Sequence, residues 1–135
     1  MIVTDHHAVP DIIPTEVVAI VNPKRKDSLY PFHGLAGAGV AFKLLHGILI
    51  ALESGSSRHP ELAKDPGNQK NGFFVPQNDE TTKRINTTLT RYIDFASLGT
   101  VADCMPIIDE NRTITTLGLR QMQQSESIGL RNFLE

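Results

Sequence analysis

Ile2-Val3-Thr4-Asp5-His6-His7 stands at the head of the chain, and the reading of this stretch decides the fold. Three β-branched residues followed at once by an acid and two histidines have the form of a short strand that delivers polar groups at its C-terminal end. Open parallel sheets collect their chemistry at strand C-terminal ends. Successive strand side chains alternate between faces. Both histidines therefore reach one site only where the strand has stopped and the chain turns. Working outward, Val17-Val18-Ala19-Ile20-Val21 is a second apolar run, closed by Asn22-Pro23. Its length and valines predict a strand buried on both faces, as in a parallel sheet.

The rest of the chain supplies helices to cover such a sheet. Pro10 and Pro14 exclude a helix and predict a loop between the strands, and Lys24 to Pro31 is a polar loop. Leu35 to Glu53 is the strongest helix pattern. Val40, Leu44, Ile48 and Leu52 recur every four residues, Leu45 and Leu49 widen the stripe, and Gly55 follows as a cap. Ser54 to Glu80, rich in Pro, Gly and Asn, predicts an exposed insertion with a short strand at Phe73-Phe74-Val75. Ile85, Leu89, Tyr92, Ile93 and Ala96 give a second helix ending near Gly99, and Thr100 to Pro106 reads as turn. Asp109 is the expected N-cap of a last helix with Ile114, Leu117 and Met122 inward, continuing frayed through Ser125 to Glu135. The fold class is α/β, a partial parallel sheet flanked by helices. Its few strands would leave an apolar edge exposed.

At 135 residues, 40% apolar and 21% charged, the chain is one domain or a piece of one. A net charge of −2 gives no broad basic surface. The single Cys104 excludes an intramolecular disulfide and a cysteine-based zinc site, which fits a reducing, cytoplasmic setting. The longest apolar segment, Val40 to Leu52, includes Lys43, His46 and Gly47 and is too short to cross a membrane. Because the densest chemical motif follows only one strand, the chain reads as a fragment of a longer protein.

Asp5, His6 and His7 have the donor types that hold a divalent transition metal. A division of labour follows: one histidine on the metal, the other on a phosphate oxygen, with Asp5 as a further donor or as the group orienting a ring. A polar loop after a strand is the plain alternative. Asp103, after Gly99-Thr100-Val101-Ala102, is the distant partner expected beside them; its alternative is a helix cap. Thr100 is a cap or a donor to phosphate. Gly34-Leu35-Ala36-Gly37-Ala38-Gly39 could expose backbone amides to an anion, with close helix packing as the preferred use. Lys24-Arg25-Lys26 is a nucleic-acid contact or a solvated loop. Cys104 is expected to be packed, and His33, His46 and His59 structural or exposed.

Taken in order, Val3-Thr4-Asp5-His6-His7, Ile20-Val21-Asn22-Pro23, Leu35 to Phe42, Leu98-Gly99-Thr100-Val101-Ala102-Asp103, Pro106 and Glu110-Asn111-Arg112 resemble the DHH phosphoesterase superfamily. Within it they are similar to the RecJ-type single-strand-specific exonucleases. The resemblance covers the chain except Ser54 to Glu80. It implies 5′-to-3′ hydrolysis of single-stranded DNA in recombination and repair, using Mn²⁺ or Mg²⁺ in a two-metal site. It further implies that His6 and Asp103 are metal ligands, that His7 lies at the metal and scissile phosphate, and that Asp5 supports this shell. The family's earlier Asp-x-Asp-x-x-Gly block, its DHHA1 domain and its OB-like domain have no counterpart in these residues. Residues 1–135 thus resemble the second half of a DHH domain, expected to be inactive alone. Two rivals stand beside this. One is a DHH phosphoesterase of pyrophosphate or short oligonucleotides, less well matched by the Asn22-Pro23 and Leu35 to Phe42 blocks. The other is a degenerate, non-catalytic remnant.

Overall fold

The computed structural model describes residues 1–13, 16–53 and 80–134. Pro14, the Gly55 cap, the insertion up to residue 79 and the strand expected at Phe73 to Val75 lie outside the described residues. The described elements are β1 (Ile2–Thr4), β2 (Ala19–Val21), α1 (Gly37–Glu53), α2 (Glu80–Ala102), α3 (Asp109–Met122) and α4 (Ile128–Leu134). The expected α/β class holds. β1 and β2 pair in parallel, with Ile2 opposite Ala19, Val3 opposite Ile20 and Thr4 opposite Val21. The pairing ends where the Asp5 amide donates to the Val21 carbonyl at 3.0 Å, so the sheet stops at the Asp-His-His stretch.

β2 is shorter than the apolar run predicts, and it is not buried on both faces. Val18 is 81% exposed, and Ile20 and Val21 are half-buried. The reason is the small sheet: among the described residues no second layer covers its far face. Ile2, at the start of β1, and Ile12, in the loop between the strands, are exposed too.

The core lies between the helices and the near face of the sheet. Leu35, Val40 and Phe42 meet Leu89, Ile93 and Ala96 of α2 and Ile114 of α3. The every-four stripe of α1 does not stay inward. Four residues turn a helix about 40° past a full revolution, so the ladder drifts, leaving Ile48 44% and Leu52 72% exposed. Tyr92 also faces out, because Leu89, Ile93 and Ala96 already occupy the buried stripe of α2. Ile114 and Met122 are buried as expected. Glycines set the helix spacing. A Cβ on Gly99 would lie 2.4 Å from the Ala38 Cβ, and one on Gly118 would lie 2.2 Å from the Ser97 Cβ.

Gly99 is therefore a packing contact and not a stop, and α2 runs on to Ala102. It ends in a Schellman pair: the Cys104 amide donates to Val101 O at 3.0 Å and the Met105 amide to Thr100 O at 3.2 Å. Cys104 sits at φ 52, the left-handed position that glycine usually fills. It is exposed, not packed as expected. Relieving the Cβ crowding of a left-handed residue is worth about 1–2 kcal/mol, less about 0.5–1 for the freer unfolded chain. Cys104→Gly is expected to stabilise the protein by a net of about 1 kcal/mol in urea unfolding.

Asp109 is the first residue of α3, at φ 50, and does not cap it; the cap position is Ile108, without a side-chain bond. Nor do Ser125 to Leu134 continue α3 as expected; Glu135 lies outside the described residues. Turn bonds from Gln124 to Gln121 O and from Ser125 to Met122 O close that helix. α4 starts afresh with Ser127 Oγ accepting from the Leu130 amide at 3.4 Å. Buried Ser125 donates to buried Asp94 at 2.7 Å and pins this junction to α2.

His46 is buried in α1, and burial together with the Lys43 ammonium lowers its pKa, against a smaller opposing effect of Glu110. The unfolded histidine titrates at about 6.5 and binds its proton before the folded one does. Stability is therefore unaffected above that value and falls as pH drops through it. The melting temperature should decline on the acid side of neutrality, and His46→Gln should flatten that decline. No described helix is long and apolar enough to cross a membrane.

Candidate metal and phosphate site

The end of β1 is folded by Asp5. Its Oδ1 accepts from the His6 amide at 2.8 Å, the His7 amide at 3.2 Å and the His7 ring Nδ1 at 2.8 Å. These bonds, the His7 ring first among them, hold the Asp5 carboxyl below the ordinary range. They also solve the two-faces problem raised by the sequence: the chain turns on a carboxylate, and the rings stand with centroids 4.3 Å apart.

The histidines then part company. His7 is 76% exposed with Nδ1 committed to Asp5, which leaves Nε2 as its outward nitrogen. The His6 side chain is 13% exposed, and its Nε2 lies 3.2 Å from Asp103 Oδ2. The first turn of α1 lies against this ring; a Cβ on Gly37 would stand 3.4 Å from His6 Cδ2, an ordinary contact.

Asp103 follows the last turn of α2, its amide bonded to Gly99 O at 3.0 Å. An acid beside the carbonyl end of a helix is unfavourable by about 0.3–1 kcal/mol unless a cation faces it. A protonated His6 or a bound metal would be that cation. Asn22 was missed as a site residue, although it follows a strand directly. Buried, it donates to the His7 carbonyl at 3.0 Å and accepts from the Lys24 amide at 2.9 Å.

Thr100 does not join the site. It is fully buried, and its hydroxyl donates to Ala96 O at 2.7 Å within α2, so it is not the phosphate donor expected. Helix continuation through Gly99 put it inside. Glu110 and Asn111 are scaffold that sequence reasoning left without a role. Glu110 accepts from the Tyr30 hydroxyl and from Lys43 Nζ at 2.9 Å. Burial and this carboxylate push the Tyr30 phenol well above its usual range. Asn111 donates to Gly34 O at 2.7 Å and Pro106 O at 3.0 Å, tying the loop after Asp103 to the segment before α1.

His6 and Asp103 fit a divalent cation as a pair. Donors each about 2.1 Å from one ion at right angles stand about 3 Å apart, close to the observed 3.2 Å. Among the described residues no third His, Cys, Asp or Glu joins them. His6 Nδ1 is buried without a hydrogen-bond partner among those residues, whereas a ligating imidazole ordinarily donates its other N–H to an orienting group. The described residues thus bring two such donors together, His6 and Asp103.

Comparison with known proteins adds the decisive observation. The RecJ single-stranded-DNA-specific exonuclease of Bacillus subtilis is 35% identical over the whole chain. Those of Salmonella typhimurium and Escherichia coli are 33% and 32% identical, again over the whole chain. The chain is homologous to a segment of RecJ. It spans 12% of the length of the first of these RecJ proteins and 20% of the other two. No family model and no solved structure matches it. The RecJ likeness runs through both halves of the site, since the alignments cover every residue from β1 to α4.

Proposed function

We propose that this chain carries part of the catalytic centre of a RecJ-type exonuclease that hydrolyses single-stranded DNA from the 5′ end in recombination and repair. The observation that supports it most is His6 Nε2 against Asp103 Oδ2 at 3.2 Å, in a chain similar to RecJ throughout. His6 and Asp103 would hold Mn²⁺ or Mg²⁺, and the remaining donors of a two-metal site would come from the earlier acidic motifs of the DHH domain, outside these residues. A bound divalent ion supplies an activated water and neutralises charge on the phosphate. The chain's own residues do the positioning. Asp5 fixes the turn and aims His7 outward, where a protonated Nε2 can donate to a phosphate oxygen. Asn22 holds the His7 carbonyl so that this aim does not drift. With only two donors, the isolated chain is expected to be inactive.

The test is a chimera in which this chain replaces the matching segment of the Bacillus subtilis RecJ. It should degrade single-stranded DNA with Mn²⁺, and its His6→Ala form should not. A folded chimera that binds single strands without cutting them, or that is indifferent to His6→Ala, contradicts the proposal.

A further inference from the structure

The loop after β2 holds the strongest run of positive charge in the described residues, and it is built onto the site. Asn22 joins the two directly, with one end of its amide on the His7 carbonyl at 3.0 Å and the other on the Lys24 amide at 2.9 Å. Two successive turns then fix the loop: the Arg25 amide donates to Asn22 O at 3.2 Å and the Ser28 amide to Arg25 O at 3.0 Å. Its three cations are not equivalent. Arg25 folds onto Asp27 through two bonds, at 2.9 and 2.6 Å, and its charge is neutralised within the loop. Lys24 and Lys26, on either side of it, are exposed and have no carboxylate partner among the described residues.

We infer that Lys24 and Lys26 hold backbone phosphates of a single-stranded nucleic acid next to the one that faces His7. This rests on the proposed function and names the chain's own residues that keep the strand in register. The chain has a net charge of −2, so attraction for a polyanion has to come from a local pair such as this. Lysine suits the task because gripping a phosphate needs a point charge and no base edge. The surface therefore holds single strands regardless of sequence, and the turn bonds tie the loop backbone that carries both lysines to the site.

The test is fluorescence anisotropy of a labelled oligothymidylate with the 135-residue chain in EDTA, over a salt series starting at about 50 mM. The Lys24→Ala/Lys26→Ala chain should bind on the order of tenfold more weakly at the low-salt end. Its slope of log K against log salt should shrink by about 1.4, since each phosphate of a single strand that a lysine no longer neutralises lowers the slope by about 0.7. Lys24→Arg/Lys26→Arg, which keeps both charges, should retain the wild-type slope. An alanine pair with wild-type affinity and slope, at unchanged circular dichroism, overturns the inference, as does a wild-type chain that does not bind the oligonucleotide. Manganese binding at His6 and Asp103 is measured separately. Its absence alongside lysine-dependent strand binding would count against the proposed function and leave this inference standing.

Discussion

Gly118→Ala is expected to destabilise the protein by about 3 kcal/mol or more. The added methyl would stand 2.2 Å from the Ser97 Cβ and 2.6 Å from the Ile93 carbonyl oxygen. Neither atom can swing aside, because one is a Cβ and the other is backbone in the middle of α2. Overpacking a well-filled interior costs about 1–3 kcal/mol where side chains can adjust, and more where they cannot. Here α2 and α3 must separate along the seam that buries Ile93 and Ile114. Urea unfolding measures the loss directly. A Gly118→Ala protein with a wild-type midpoint would mean that the α2–α3 crossing is wider than described.

Asp103→Asn should separate stability from function. At pH 8 the substitution removes a negative charge from the carbonyl end of α2, a change worth about 0.3–1 kcal/mol in favour of the folded state. In the RecJ chimera the same change should abolish hydrolysis. Changing an outer partner of a metal ligand costs about 10–100-fold in affinity or activity. Losing the carboxylate itself should cost more than that. A residue retained only for the fold would show the opposite pattern, with lower stability and intact activity. Nuclease assay and thermal melting on the same preparations decide between the two.

Much of this was legible in the sequence, for identifiable reasons. The strand before Asp5, the helix through Ile85 to Ala96 and the inward face at Ile114 and Met122 follow from periodicity, a local property. The meeting of His6 with Asp103 followed from resemblance alone, since no periodicity links residues so far apart. What failed depended on three-dimensional neighbours. Gly99 looks like a helix stop, but it is the point where α1 presses on α2, so Thr100 was carried into the interior. Val18 reads as a doubly buried strand residue, yet its exposure depends on a layer that the described residues do not supply. Asn22 could not be singled out because its role lies in two hydrogen bonds across a turn. Cys104 occupies a position that glycine chemistry predicts, and nothing in the site explains the cysteine.

The central claim is that His6 and Asp103 together form a divalent-cation site. Paramagnetic broadening by substoichiometric Mn²⁺ in the nuclear magnetic resonance spectrum of the isotopically labelled chain tests it most directly. The His6 ring and Asp103 signals should broaden first and together, and Asp103→Asn should abolish the effect at His6. Broadening that favours exposed carboxylates such as Glu80 and Glu126, or that persists at His6 after Asp103→Asn, would contradict the account.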